Sequence, residues 1–282
     1  MGEIDNAAQA VKAQRLLQLH LGPQLLVICN AWDAGSARVF EAAGAKAIAS
    51  TSAGVANAQG YPDGEKIPLT EMLAVVRRMV ETVELPVSAD MEMGFGAGIA
   101  AVVATCRGVL DAGAVGVNLE DATGDPAHPL VDPILQSEKL RAIRAMAESY
   151  GVHLVINART DGYWLKLGDE ESRLADTISR ANLYREAGAD CLFVPGATAS
   201  ETIRTLVGEI NGPLNILASP GCPNVAELQD LGVARMSQGS GPARAALATT
   251  RRIADELLRA GSYSSFHQGN IPYAEANRLF ER

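Results

Sequence analysis

No stretch of the 282-residue chain stays apolar for the roughly 18 residues that a membrane-spanning helix needs, so no bilayer span is expected. A cationic surface is missing too. Lys and Arg number 24 against 33 Asp and Glu, a net charge of −9, whereas binding nucleic-acid phosphates needs clustered bases. Cysteines are few, and the four present (Cys29, Cys106, Cys191, Cys222) form no C-x-x-C pair. That spacing speaks against a zinc ribbon or a disulfide framework and for reduced thiols in a cytoplasmic protein. Cys29 and Cys191 sit in apolar, strand-like runs, where cysteine behaves as a small buried hydrophobe. The opening M-G-E-I-D-N-A-A-Q-A carries acidic residues and no apolar core, unlike a secretory signal. Its sixth residue is Asn6, not the Ser or Thr of a myristoylation start. No G-x-S-x-G nucleophile elbow occurs, and no G-x-G-x-x-G follows the first apolar run.

What the chain has is a repeated grammar. Residues 41–50 (E-A-A-G-A-K-A-I-A-S), 111–121 (D-A-G-A-V-G-V-N-L-E-D), 186–196 (E-A-G-A-D-C-L-F-V-P-G) and 230–239 (D-L-G-V-A-R-M-S-Q-G) each end a helical stretch at a glycine and then enter a short β-type run. Further runs at Leu25–Cys29, Pro86–Ala89, His153–Asn157 and Pro213–Leu217 bring the candidate strands to eight. Helical stretches are predicted over Thr70–Thr82, Ile99–Leu110, Ser137–Ser149, Glu171–Glu186 and Ala199–Ile210. Alternating strands and helices imply a parallel sheet, and eight units in about 250 residues imply a closed (β/α)8 barrel. An open doubly wound sheet is the alternative. The division expected is an N-terminal helix over 1–22, a barrel over 23–256 and a helical tail over 257–282, all one domain.

A barrel of this kind carries its site at the C-terminal strand ends. Those ends are rich in carboxylates. Asp63 lies in the loop after the second strand, Asp90 and Glu92 end the third, Glu120 and Asp121 the fourth, and Arg159 and Asp161 the fifth. Carboxylates gathered on one rim repel each other unless a cation or shared protons compensate. Oxygen ligands without His or Cys suit Mg²⁺, or Mn²⁺, better than zinc. Arg159 offers a fixed fork for a substrate carboxylate. Blander roles stand beside these. Asp121 and Asp161 read equally as helix caps or rim charges, Asp63 as a turn residue and Arg159 as half of a structural ion pair. Asp90 and Glu92 are different, because their spacing of two turns both to one face of an apolar strand. Of the histidines, His20 and His267 read as surface residues and His153 as the start of a strand. His128, in the loop after the fourth strand, is a candidate general acid or base.

Taken in order, N-A-W-D-A-G-S-A-R (30–38), S-T-S-A-G-V-A-N-A-Q-G-Y-P-D-G (50–64), S-A-D-M-E-M-G-F-G (88–96), G-V-N-L-E-D (116–121), A-R-T-D (158–161) and E-A-G-A-D-C-L-F (186–193) resemble the isocitrate lyase/phosphoenolpyruvate mutase superfamily. The resemblance implies a (β/α)8 barrel, usually a tetramer built as a dimer of dimers with C-terminal helices exchanged between subunits. It implies one Mg²⁺, with Asp90 as direct ligand and Asp63, Glu92 and Glu120 holding its waters. It places Trp32, Thr51, Ser52, Ala53, Asp90 and Arg159 around a small carboxylate substrate, with Thr51–Ala53 acting largely through backbone N–H. Arg159, Asp63 and, in the loop, His128 become the candidate catalytic groups. The chemistry implied is cleavage of a carbon–carbon bond in a 2-oxo or 2-hydroxy carboxylate through a metal-chelated enolate. Carbon–phosphorus chemistry and a catalytically silent dicarboxylate-binding relative are the alternatives.

The departures are local. The lyases follow E-D with K-K/R-C-G-H, and the mutases carry a Lys in the same loop, but here the loop reads A-T-G-D-P-A-H-P-L. The usual D-x-D-T-G-[YF]-G is D-M-E-M-G-F-G, and Val194-Pro195-Gly196 stands where lyases carry a Glu.

Overall fold

The structure, a computed structural model, describes residues 5–96 and 98–281. The M-G-E-I of the start, which includes the first four residues of the expected 1–22 helix, and Arg282 of the tail lie outside the described residues. In chain order the elements are α1 (Asn6–Leu21), β1 (Leu26–Ala31), α2 (Ala34–Ala42), β2 (Ile48–Ser50), α3 (Ser52–Ala58), α4 (Leu69–Thr82), β3 (Val87–Asp90), α5 (Ile99–Asp111), β4 (Gly116–Glu120) and α6 (Pro133–Tyr150). They continue with β5 (Val155–Arg159), α7 (Glu170–Glu186), β6 (Cys191–Val194), α8 (Ser200–Glu209), β7 (Leu214–Leu217), α9 (Val225–Asp230), β8 (Arg235–Ser237), α10 (Gly241–Asp255) and α11 (Tyr273–Arg278).

Among the described residues, eight parallel strands pair in sequence order and close, β1 against β8. The closing register sets Leu26, Val27 and Ile28 opposite Arg235, Met236 and Ser237. This is the (β/α)8 barrel expected, not the open sheet. The strands are buried along most of their length, as a parallel sheet covered by helices must be, and several are only half-buried at the C-terminal end that faces the cavity. The repeated glycines explain the spacing. Gly44, Gly113, Gly188 and Gly232 all hold positive φ, from 86° to 106°, where each helix ends and its strand begins. Helix starts are written as clearly: Asp33 closes a capping box with Ser36 on α2, and Asp132 caps α6 just before Pro133.

Several boundaries differ from expectation. β5 begins at Val155, so His153 precedes the strand and meets Asp190 at 2.9 Å instead. The short helices α2, α3 and α9 give too few turns for an apolar period to show. The last barrel helix ends at Asp255 and runs on as a single π-helical turn, Glu256–Ala260. His20 corrects the surface reading: it is 2% exposed. α1 crosses the N-terminal ends of the strands, where Leu16 packs so closely at Gly116 that an added Cβ would come within 2.9 Å of it. That packing carries His20, one turn on, into the barrel base beside Arg235.

Candidate active site

The C-terminal strand ends open into one cavity of about 450 Å³. Its wall includes Asp63, Asp90, Glu92, Glu120 and Arg159, together with the 51–53 segment, so four separate strand ends deliver the predicted charged groups to one place.

Asp90 ends β3 with both oxygens engaged. Oδ2 accepts the Ser52 N–H at 2.9 Å and Oδ1 accepts from Asn118 Nδ2 at 2.8 Å. A carboxylate keeps lone pairs to spare after two such bonds. Glu92 follows on a strained backbone, φ 50°, a conformation that L-residues hold only when their surroundings demand it. Its Oε2 accepts the Glu65 N–H at 2.8 Å, while its Oε1 is buried with no hydrogen-bond partner. Burial, and then the neighbouring Asp90 and Asp63, push the Glu92 carboxyl up to about 8. Burial also raises Asp63 and pushes Glu120 up to about 8, against the pull of Arg159.

Arg159 is held on three sides. It meets Glu120 Oε2 at 2.7 Å and Asp161 Oδ1 at 2.7 Å, and lies near the rings of Trp164 and Phe193 at 5.9 and 5.8 Å. Burial disfavours its charge, but Glu120, Asp161 and Asp90 outweigh that and hold it above its usual value. Asp161 and Asp121 are no rim charges: both are fully buried. Asp121 accepts the Asp161 N–H at 2.9 Å and the Tyr184 hydroxyl at 2.7 Å, fastening β4, β5 and α7 behind the cavity.

The 51–53 segment, Thr51 capping α3 and Ser52 and Ala53 opening it, is more occupied than its expected role suggests. The Thr51 N–H goes to Ala31 O at 3.0 Å and the Ser52 N–H to Asp90, and among the described residues only the Ala53 N–H of the three is without an acceptor. Gly54 must be glycine, because a Cβ there would meet Thr51 Cγ2 at 2.6 Å and Trp32 Cβ at 3.0 Å. That contact is where Trp32 sits; it does not line the cavity wall. His128 is exposed in the loop after β4 and does not line it either. Its N–H donates to Asp125 O at 3.1 Å and its carbonyl accepts from Thr123.

Sequence reasoning missed a layer of amides beneath the carboxylates. Asn157 Nδ2 donates to Asn118 Oδ1 at 2.7 Å, which continues the chain from Asp90 down into the barrel. The signal was period two: Gly116, Asn118 and Glu120 share one face of β4, and Asn157 and Arg159 one face of β5.

The site suits a hard divalent cation. The donors are oxygens, Glu92 Oε1 in the cavity wall is buried without a partner, and three carboxyls are raised by burial beside one another. Among the described residues no three Asp, Glu, His or Cys side chains are grouped to hold a metal together. One direct protein ligand with water-mediated neighbours is the arrangement Mg²⁺ commonly takes.

A barrel with a carboxylate-lined cavity at its strand ends is an enzyme architecture. The family model for phosphoenolpyruvate phosphomutase matches residues 16–258. The chain belongs to that family, within the isocitrate lyase/phosphoenolpyruvate mutase superfamily. It is 35% identical over 249 residues to an uncharacterized protein of Mycobacterium tuberculosis, covering 88% of this chain and 89% of that one. It is 30% identical over 213 residues to the 2-methylisocitrate lyase of Halalkalibacterium halodurans, covering 73% and 67%. A solved structure of a candidate lyase/mutase from Burkholderia cenocepacia superposes with a TM-score of 0.91 at 37% identity, covering 98% of both chains.

Proposed function

We propose that the protein is a Mg²⁺-dependent lyase that breaks a carbon–carbon bond in a small 2-oxo or 2-hydroxy carboxylate. The observation that carries this is the convergence of Asp63, Asp90, Glu92 and Glu120 on one cavity, with Glu92 Oε1 buried and unpartnered. Asp90 would hold the ion, and Asp63, Glu92 and Glu120 would act through its waters. When bound, the ion supplies a Lewis acid that stabilises charge developing on the substrate oxygen. Arg159, fixed by Glu120 and Asp161, orients a substrate carboxylate in a bidentate grip. The Ala53 N–H offers a second donor at the start of α3. Phe193, Trp164 and Pro195 in the wall limit water. Decarboxylation suits the site better than carbon–phosphorus chemistry, since residues 121–132 bring no Lys or Arg over the cavity.

The test gives the purified protein isocitrate, methylisocitrate, oxaloacetate, dimethylmalate, phosphoenolpyruvate and phosphonopyruvate with Mg²⁺, following pyruvate and phosphate. Pyruvate release from a carbon–carbon substrate, abolished by EDTA and restored by Mg²⁺, is expected. Turnover indifferent to EDTA sinks the metal reading, and phosphate release alone favours the phosphorus chemistry.

We also propose a homotetramer, a dimer of dimers joined through the C-terminal segment. Leu258 and Tyr273 are each 86% exposed, with Leu247, Tyr263, Ile271 and Phe280 exposed nearby in sequence. Such an apolar stretch on a lone chain calls for a partner surface. Light scattering is expected to give about four chain masses, and Leu258→Glu with Tyr273→Glu to lower it. A monomeric wild type ends this proposal.

A further inference from the structure

A guanidinium stands at the inner end of the cavity without an anion. Arg235 opens β8 opposite Asn215 of β7 and Leu26 of β1. Ser237, two residues on, donates to Asn215 Oδ1 at 3.2 Å, so this face of β8 is the one turned into the barrel. Arg235 lines the cavity yet is only 2% exposed.

Its partners do not match its charge. Among the described residues no carboxylate makes an ion pair with it, and its Nε has no hydrogen-bond partner. NH1 reaches His20 Nε2 at 3.4 Å. His20 cannot serve as a counter-ion. Its Nδ1 lies 2.8 Å from Leu16 O, a contact that needs the proton on Nδ1, so Nε2 offers a lone pair and no charge. Burial, and then Arg235 itself, push this imidazole down to about 4. The neighbouring Cys191 thiol is pushed up to about 12 by burial, so it is no thiolate. Asn215 Nδ2, on the adjoining strand and fully buried, also lacks a partner. A buried cation and a buried amide donor, both unanswered and side by side, are expensive to keep. Of the two, Arg235 lines the cavity, so a small anion entering down it would answer the guanidinium, with Asn215 behind it on β7. The cavity that Arg235 lines measures about 450 Å³ in all, within the range of small-molecule sites.

We propose that Arg235 forms an anion subsite at the inner end of the active-site cavity, which takes the second carboxylate of a dicarboxylic substrate whose first carboxylate is held at Arg159. The inference rests on the lyase reading for the placing of that first carboxylate. It narrows the substrate class from small carboxylates to dicarboxylates whose second acid group lies toward the barrel axis. The cation at the mouth, Arg244, is exposed and is the rival for that second group.

The test is binding, measured calorimetrically with Mg²⁺ present, for pairs that differ only in a terminal methyl or carboxylate: 2-oxovalerate with 2-oxoglutarate, and 2-hydroxybutyrate with malate. Wild type is expected to favour the diacid of at least one pair by tenfold or more. Arg235→Met removes that preference, weakening the diacid at least tenfold and the monoacid less than twofold. Arg235→Lys restores part of it, and Arg244→Met leaves it intact. Should Arg235→Met not fold, Arg235→Gln is read the same way, alongside the wild-type preference itself. A preference absent in wild type, surviving Arg235→Met, or lost only in Arg244→Met overturns the proposal. So does saturable stabilisation by chloride with no discrimination within the pairs, since the subsite then holds an inorganic ion. Failure of the lyase reading looks different: both members of a pair then bind without regard to Mg²⁺ or to Asp90→Asn.

Discussion

Asp90→Asn is expected to lower Mg²⁺-dependent turnover by at least about 10³-fold while leaving the thermal midpoint within a few degrees of wild type. The size of the kinetic loss follows from the proposed role of Asp90 as a charged ligand of a Lewis-acid site, where preorganised charge is the largest single contribution to rate. The small stability change follows from the amide chain below. Asp90 accepts from Ser52 N–H and from Asn118 Nδ2. An asparagine keeps one acceptor for Ser52 but sets its own NH₂ against Asn118. Asn118 can answer by reversing its amide, because its neighbour Asn157 has an unpartnered Oδ1 and can reverse with it. Loss of one charge from a group that includes Glu92, Glu120 and Asp63 also relieves repulsion among them. Calorimetric Mg²⁺ titration and a thermal melt on the same preparation check both halves. Asp90→Asn that turns over within tenfold of wild type rules out Asp90 as the metal's direct ligand.

The barrel was legible because its grammar is local. Four of the αβ junctions turn through a residue at positive φ, and glycine at 44, 113, 188 and 232 supplies it. The carboxylates were legible because Asp90 and Glu92 interrupt an apolar run at period two. What stayed hidden depends on the third dimension. Asn118 and Asn157 read as ordinary polar residues until the barrel closes and sets them one under the other. Asp121 and Asp161 look like caps from their place before a helix, yet closure buries them against each other and against α7. His20 looks like a residue of a terminal helix's outer face, and only the docking of α1 under the barrel turns it inward. Trp32 and His128 show the opposite limit. Their neighbours in sequence line the motif, but the chain turns the one toward Gly54 and leaves the other in solvent.

Asp121→Ala is expected to destabilise the protein by about 3–5 kcal/mol, more than any single change at the cavity wall. The carboxylate is fully buried and receives the Asp161 N–H at 2.9 Å, the Tyr184 hydroxyl at 2.7 Å and Arg180 at 3.4 Å. Truncation leaves a buried hydroxyl and a backbone N–H unanswered, each worth about 1–3 kcal/mol when stranded. Arg180 is less exposed to the loss, since it also holds Asp176 at 2.8 Å and Val131 O at 2.8 Å. At roughly 2–4 °C per kcal/mol for domains of about 150–250 residues, the midpoint should fall by on the order of 10 °C. Asp121→Asn keeps one acceptor and the volume, and should lose about half as much. The damage also reaches the site, because Asp161 fixes Arg159 Nε at 2.7 Å and Asp121 fixes Asp161. The Arg159 fork therefore loosens, and if it holds the substrate as proposed, KM should rise more than kcat falls in whatever enzyme remains folded. A double-mutant cycle with Tyr184→Phe separates this network from simple loss of packing. Coupling of at least about 1 kcal/mol is expected, and strictly additive losses show that the hydroxyl and the carboxylate do not stabilise each other.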